Sequence, residues 1–383
     1  MNEDKASRYH RIKRRSAVLS IAVTGLVLGG LMAAGMSASL RDLAYLAADG
    51  VAADGVAADG GGFSPAAVAL YALLLSLVRE ATALPLALHR HFFLERRFGL
   101  SSGPFGAWLR DHLKAALLGL LLGVAGVEVI YLSMAWWPKL WWLASAVVFT
   151  AAIALLARIA PVVLLPLFYK FTPLDREGLR ARLISLSARA GIPVLGVYEW
   201  GLGQKTRRAN AALVGAGATR RILVSDTLLA EYSDDEIAII LAHELAHQVH
   251  HDIPKALAVE CGLLLAGCFA GAGLLGVAWP LAGLTGPSDV AGLPLLLLAA
   301  GATYVAATPF VNALSRRAER RADHFALSLT RQPGAFVSAM RRLAAQNLAE
   351  ERPSRRSLWL FHTHPPIDQR ILAAKAFEDA VNC

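Results

Sequence analysis

The sequence predicts a mainly α-helical protein that crosses a membrane several times and carries a small β-sheet in a soluble part. Apolar residues make up 56% of the 383 residues and charged residues only 17%, whereas about a quarter of a soluble domain is usually charged. Six apolar stretches are each long enough for roughly 30 Å of hydrocarbon, which takes about 20 helical residues. The net charge of +9 reflects basic residues beside these stretches, which indicates membrane topology rather than nucleic-acid binding.

Four of the predicted membrane helices precede a polar middle region, and two follow it. They cover residues 17–36, 65–88, 115–135, 143–168, 256–281 and 291–314. A cleaved signal peptide is the alternative for the first stretch, but signal peptides have shorter apolar cores of about 7–15 residues. The four tryptophans within residues 136–142 are typical of a link at a membrane interface.

The distribution of Lys and Arg predicts which segments share one side of the membrane. Six spans place residues 1–16, 89–114, 169–255 and 315–383 on the same side, and all four segments are basic. The connections on the opposite side contain few basic residues. Because basic segments usually stay in the cytoplasm, we expect both termini and both long polar segments to lie there.

A threefold Ala-Ala-Asp-Gly repeat occupies residues 46–60 and belongs to a predicted loop that ends at residue 62. Its low complexity and its glycines favour a flexible loop without chemistry of its own. Asp49, Asp54 and Asp59 are possible calcium ligands, but their spacing does not match a calcium-binding loop.

Several ionisable residues lie inside the predicted membrane helices: Arg79, Glu80, Glu128, Arg158 and Glu260. Charges at membrane depth are costly, so they usually pair with one another or face a water-filled cavity. The first alternative makes them structural pairs. The second predicts a polar chamber between the helices, which would suit an enzyme that admits a peptide and water.

The polar middle region predicts the small sheet. Residues 179–190 have helical periodicity, and residues 194–200, 210–214 and 221–225 read as short strands separated by Gly-rich turns. The edge of such a sheet can pair with the extended backbone of a peptide. Asn210 is placed either to bind that peptide or to form a turn.

The most informative segment is a helix that begins at Ser233 and carries His-Glu-Leu-Ala-His at residues 243–247. Ser233 and Glu236 match a capping box, and we expect the helix to continue to about Pro254. His243 and His247 are four residues apart on a helix, so both rings can reach one metal ion. Glu244 can then act as the general base on a metal-bound water, as in zinc peptidases.

A third ligand has to come from another segment, and Glu319 is the candidate. Glu319 and Asp323 lie four residues apart on a predicted helix, so the first can bind zinc and the second can hold a ligand histidine through its other ring nitrogen. The alternative is an ordinary helix with salt bridges between its arginines and acids. His324 is a rival ligand, but it lies off this helix face.

His364 precedes two prolines, and Arg370 follows six residues later. Either side chain can stabilise the negative oxygen of a tetrahedral intermediate. Alone, this pattern is a weak indication of function.

Taken in order, the segments His-Glu-Leu-Ala-His, Glu-Arg-Arg-Ala-Asp at 319–323 and His-Pro-Pro at 364–366 resemble the type I CAAX prenyl proteases, which are integral-membrane zinc peptidases of the gluzincin type. Residues 93–100, 165–174 and 221–229 are similar to further segments of that family. The resemblance extends from about residue 65 to the C-terminus.

The resemblance implies a helical barrel around an intramembrane chamber, with a zincin-like catalytic domain at its cytoplasmic end. It implies one Zn²⁺ per chain, bound by His243, His247 and Glu319, with Glu244 as general base and Asp323 behind a ligand. The remaining positions that match the family motifs bind substrate or the oxyanion: Asn210, His364 and Arg370. The implied substrate is a peptide or protein. In this family it is the C-terminal tail of a prenylated CAAX protein, from which the protease removes the aaX tripeptide.

The sequence departs from this family in two respects. Asn210-Ala211-Ala212 lacks the aromatic residue common in that motif, and six spans are found where eukaryotic members have seven. Two other functions stay open: a heat-shock-type protease for misfolded membrane proteins, and a transporter or scaffold with a structural zinc. The predicted divisions are an N-terminal membrane region (1–168), two catalytic parts (169–255 and 315–383) and two membrane helices between them (256–314).

Overall fold

Long helices dominate the residues that the structure, a computed structural model, describes, which are 2–50, 63–215 and 217–382. In chain order the helices are α1 (Asn2–Ala33), α2 (Met36–Asp49), α3 (Pro65–Leu88), α4 (Leu94–Arg97), α5 (Phe105–Trp136), α6 (Trp141–Val163), α7 (Leu165–Phe168), α8 (Glu177–Arg189), α9 (Asp226–Glu231), α10 (Asp234–Val249), α11 (Asp252–Ala278), α12 (Leu293–Thr330), α13 (Pro333–Gln346), α14 (Arg355–Phe361) and α15 (Ile367–Asn382).

Six of the described helical segments are long and apolar enough to cross a membrane, which confirms the predicted number. They are Lys5–Ala33, Pro65–Arg97, Phe105–Trp136, Trp141–Val163, Asp252–Ala278 and Val290–Thr330. Several continue beyond the apolar stretch. The second passes through a π-helical turn at His89–Phe93, and the last continues into the polar segment that holds Glu319. Large apolar side chains cover much of the outer surface of these helices.

The predicted loop after the first membrane helix is partly wrong. Residues 46–49 of the repeat form the last turn of α2, which ends where Gly50 adopts a φ of 72°. This helix is stabilised by contacts that local composition does not reveal, because it buries Ser37, Arg41 and Ala44 against other segments. The prediction for residues 51–62 lies outside the described residues.

Arg79, Glu80 and Glu260 divide between the two predicted alternatives. Glu80 pairs with His112 at 2.8 Å and with Arg79 at 3.5 Å, as structural charges do. Glu260 instead lines two cavities between helices, as expected for a group that faces a chamber.

The small sheet contains β1 (Phe171–Pro173), β2 (Gly196–Trp200), β3 (Ala211–Val214) and β4 (Arg221–Ser225). Their order is β1-β2-β4-β3, with β2 parallel to β4 and the other neighbours antiparallel. Three of the strands match the predicted ones to within two residues. The short β1, which contains a proline, was not predicted. Because β3 lies at the end of the order, none of the described strands pairs with its outer side.

Helix α10 lies at the centre of the soluble core. Ile237, Ile239, Leu241 and Leu245 are 0% exposed, and they pack in one cluster with residues from α8, β4 and α13. Burial of each such side chain contributes about 1.5–3 kcal/mol. The helix ends at Val249 rather than continuing to Pro254, because His251 adopts a left-handed conformation with φ 54° and α11 begins at Asp252.

Candidate active site

The candidate site lies where α10 and α12 cross. His243 and His247 project from α10, and Glu319 approaches them from α12. The Nε2 of His243 lies 3.2 Å from one Glu319 oxygen, and the Nε2 of His247 lies 3.6 Å from the other. One donor atom from each of the three residues lies within 4.8 Å of the others. Donors about 2.1 Å from a tetrahedral zinc are roughly 3.4 Å apart, so these spacings suit a single ion.

The donor set also fits a cation electrostatically. The side chain of Glu319 is 8% exposed, and its Oε2 is buried without a well-oriented hydrogen bond to any described residue. A buried carboxylate oxygen whose nearest donor is poorly oriented is costly. A metal ion bound between the three side chains would remove this cost.

Each histidine is held from behind by an aspartate. The Nδ1 of His243 lies 2.9 Å from Asp323, and the Nδ1 of His247 lies 3.0 Å from Asp252. Such contacts orient the ring and leave Nε2 free for the metal. Asp323 was predicted for this position, whereas Asp252 was not. Its only sequence signal is an acid just beyond the end of the histidine helix.

The surroundings of His243 favour positive charge. Burial opposes a charge on the ring, but the hydrogen bond with Asp323 and the close approach of the Glu319 carboxylate outweigh it and raise the pKa of His243 to about 9. Arg370 donates from Nε to Asp323 at 2.8 Å, and its pKa is raised because Asp323 and other acids outweigh the burial of the guanidinium. The carboxylates therefore prepare the site for a cation.

Glu244 follows the first histidine and faces the cavity beside the cluster. Burial raises the pKa of its carboxyl group above the usual value. Among the described residues it has no hydrogen-bond or ion-pair partner, unlike Glu319 and Asp323. An unpaired carboxylate beside a metal cluster is free to bind water, as a general base must.

A cavity of about 340 Å³ connects the cluster to the predicted substrate-binding residues, and Asn210, His243, Glu244, His364 and Arg370 all line it. The Nε2 of His364 lies 3.4 Å from Glu319, and the side chain is 61% exposed. Asn210 directly precedes β3; its backbone is hydrogen-bonded to Ser225, and the residue is exposed.

Arg370 lies at the cavity, and His324 lies away from the cluster, as its position on the predicted helix indicated. Arg370 lines the cavity, but Asp323 holds its guanidinium group, so the structure gives it a bound partner as well as a possible substrate contact. The rival ligand His324 is exposed and packs edge-to-face on Phe377. It is not part of the His243–His247–Glu319 cluster.

Larger cavities continue from the opposite side of the cluster towards the membrane helices. One of about 890 Å³ is lined by His247, Glu319, Val259 and Val311 among others. It shares Glu260 with an apolar cavity of about 490 Å³ between the membrane helices. The cluster therefore lies between the polar cavity and a larger cavity with charged and apolar walls, which adjoins the apolar cavity at Glu260.

Two family models match consecutive parts of the chain. Residues 3–170 match the model described as "CAAX prenyl protease N-terminal, five membrane helices", and residues 173–378 match "Peptidase family M48". Within 3–170, four of the described helical segments are long and apolar enough to span a membrane.

Relatives and solved structures agree with these matches. An uncharacterized metalloprotease, YhfN, from Bacillus subtilis is 31% identical over 81% of this chain and 74% of its own length. A CAAX prenyl protease 1 homolog from Oryza sativa is 29% identical over 79% and 71%. The crystal structure of S. mikatae Ste24p has the same fold, with a TM-score of 0.83 and 22% identity over 97% of this chain and 89% of that chain.

Proposed function

The chain belongs to peptidase family M48 as a zinc-dependent membrane endopeptidase, and from this premise we propose that its substrate is the C-terminal tail of a prenylated protein. The products would be the aaX tripeptide and the shortened prenylated chain. The observation that carries the proposal is the series of cavities at the metal cluster: a polar cavity, then a larger cavity with charged and apolar walls, then an apolar cavity between the membrane helices. The polar cavity suits the peptide end of such a substrate, and the apolar cavity suits its isoprenoid chain.

The proposed ligands are His243, His247 and Glu319, for one zinc ion per chain. When bound, the metal supplies a polarised water and a positive charge beside the scissile carbonyl. Asp323 and Asp252 hold the two imidazole rings so that each Nε2 points into the cluster.

Glu244 is the proposed general base. Its carboxylate accepts a proton from the attacking water and returns it to the leaving amine. Burial raises its pKa, which makes the carboxylate a stronger proton acceptor than an exposed one. The absence of a partner among the described residues leaves both of its oxygens available.

Substrate positioning is assigned to the other residues of the polar cavity. An extended peptide would pair with the outer side of β3, with Asn210 directly before that strand. His364 would donate a hydrogen bond to the oxygen that becomes negative, and Arg370 would add positive charge nearby. In this assignment residues 169–255 and 315–383 form the catalytic part, and residues 1–168 and 256–314 form the membrane part.

The test compares zinc content and peptide cleavage for the wild type and Glu244→Gln in detergent or nanodiscs. We expect one zinc per chain in both proteins, cleavage of a farnesylated CAAX peptide by the wild type, and a loss of about 10²–10⁴-fold in the variant. Glu378→Gln, an exposed exchange of the same type, serves as the control and should retain full activity.

Each alternative has its own outcome in this experiment. Equal cleavage of the farnesylated peptide and its bare counterpart would favour a quality-control protease over a prenyl protease. Stoichiometric zinc without cleavage of either peptide would favour a transporter or scaffold. Unchanged cleavage by Glu244→Gln would remove the assignment of the base.

The proposed orientation places the metal cluster and both termini in the cytoplasm, because the basic segments lie on that side. Single cysteines introduced at Glu378 and at Pro287 in a cysteine-free background would test it. In right-side-out vesicles, an impermeant maleimide should label position 287 directly and position 378 only after permeabilisation. The reverse pattern would overturn this orientation.

A further inference from the structure

One face of α12 carries four buried polar residues, of which the proposed mechanism uses only two. Asn312, Arg316, Glu319 and Asp323 follow each other at intervals of four, three and four residues, which places them on one helix face. Each is at most 6% exposed. Glu319 and Asp323 belong to the metal site. Asn312 and Arg316 point towards another segment of the chain.

Arg316 and Asn312 hold the end of α14. The Nη1 of Arg316 donates to the carbonyl oxygens of Leu358 at 2.9 Å and His362 at 2.7 Å. The Nδ2 of Asn312 donates to the carbonyl oxygen of Trp359 at 3.0 Å. Carbonyl groups in the last turn of a helix lack hydrogen-bond donors within the helix. Arg316 and Asn312 supply these donors at the end of α14.

These acceptors immediately precede the residue proposed to bind the oxyanion. His362 is two residues before His364, and the chain then continues into Pro365 and Pro366, which have no backbone N–H to donate. Among the described residues, the His364 ring has few contacts of its own. Thr363 lies 2.9 Å from its Nδ1, and Glu319 lies 3.4 Å from its Nε2. The position of the His364 ring therefore depends on where the backbone of residues 358–362 is held.

The charge on Arg316 makes this anchor unusual. The side chain is buried, and it has no carboxylate partner among the described residues, whereas Arg370 pairs with Asp323. A buried charge without a counter-charge is costly. Here the guanidinium is matched by backbone carbonyls at a helix C-terminus, where the helix dipole favours a cation.

We infer that Arg316 is a positioning residue that sets His364 relative to the metal cluster, an inference that rests on the proposed function. Arg316 is one turn from Glu319 on the same rigid helix, so α12 fixes both the third metal ligand and the backbone that presents His364. A misplacement of about 1 Å at a reacting group can cost about 10²-fold in rate.

The first experiment measures kinetics and zinc content of Arg316→Met. We expect kcat to fall about 10–100-fold with a smaller change in KM and with zinc content unchanged, since the ligands are untouched. Arg316→Lys should recover part of the loss, because an ammonium group can still donate to one or both carbonyls. Arg341→Met, at an exposed arginine of α13, is the matched control and should resemble the wild type.

A double-mutant cycle separates this role from a general structural one. If Arg316 acts through His364, the Arg316→Met exchange should cost less than twofold in a His364→Ala background. Losses that multiply in the double variant would overturn the inference. Asn312→Ala, which removes one hydrogen bond, provides a milder variant for the same cycle if Arg316→Met folds poorly.

Hydrogen exchange tests the anchor without relying on catalysis. In Arg316→Met, peptides covering residues 358–366 should exchange faster, and those covering 237–249 should not change. In Arg341→Met both should match the wild type. Unchanged exchange at 358–366 would refute the anchoring role. Absence of peptide cleavage by the wild type would instead count against the proposed function alone.

Discussion

At the scale of single residues, the partners of a carboxylate separate structural acids from candidate catalytic ones. Glu236 and Glu244 lie on the same helix. Glu236 accepts hydrogen bonds from Ser233 and Ser338 and pairs with Arg342, and these contacts lower its pKa in spite of burial. Glu244 has no such partners among the described residues, and burial raises its pKa. The first acid stabilises the fold, and the second is available for proton transfer.

His362, which lies beside the anchored segment, is expected to make stability depend on pH. Burial lowers the pKa of its ring to about 4, although Glu350 lies 3.4 Å away. His10 and Ser357 also contact the ring, and Glu350 is shared with Arg14. In the unfolded chain the pKa returns to about 6.5. Between these two values the unfolded state binds more protons, so the free energy of unfolding decreases as the pH falls from about 6.5 towards 4.

The measurement compares the melting temperature of the detergent-solubilised protein at pH 7.5 and pH 5. His362→Gln removes the titrating group, so its melting temperature should fall less between these pH values, by a few degrees, than that of the wild type. His324→Gln, an exposed exchange, should show the full wild-type decrease. The same decrease in all three proteins would show that His362 does not contribute.

At the scale of helices and strands, local signals could be predicted, and features fixed by distant contacts could not. The Ser233 capping box was predicted and is present, with Ser233 N donating to Glu236 at 2.8 Å. The helix end at Val249 was placed too late, because the break at His251 is a conformational feature with no strong local signal. The helix α2 and the strand β1 were not predicted, since both depend on packing against other segments.

The same distinction applies to the candidate site. Helical spacing alone brought together His243 with His247, and Glu319 with Asp323. Asp252 was missed because its role depends on where α11 begins relative to the histidine helix. Arg316 lies three residues before Glu319, so helical spacing could have placed it on the same face as Glu319 and Asp323. Its role could not be predicted, because it donates to backbone carbonyls and no pattern of side chains reveals those acceptors.

At the scale of the whole molecule, α12 connects the metal cluster to a second buried network near the other end of the membrane helices. A helix rises about 1.5 Å per residue, so Leu293 and Glu319 are roughly 39 Å apart along it. Just before this helix, Asp289 accepts hydrogen bonds from Arg41 at 2.5 Å and from Thr285 N at 2.9 Å. Tyr131 also donates to the carbonyl oxygen of Asp289, at 3.3 Å. The network thus joins α2, α5 and the start of α12.

This separation predicts that stability and catalysis can be changed independently. Asp289→Asn leaves the buried guanidinium of Arg41 without its main counter-charge, which typically costs about 3–5 kcal/mol. We expect a clearly lower melting temperature, whereas zinc content and kcat/KM of the folded protein should stay at wild-type values.

The control variant is Asp42→Asn. Asp42 also pairs with Arg41, but its side chain is 50% exposed, so this exchange should lower the free energy of unfolding by at most about 1 kcal/mol. Adding Arg41→Met to Asp289→Asn should restore part of the stability, because it removes the unpaired charge. A loss of zinc in Asp289→Asn at temperatures where the protein remains folded would contradict this independence and would indicate that α12 couples its two ends.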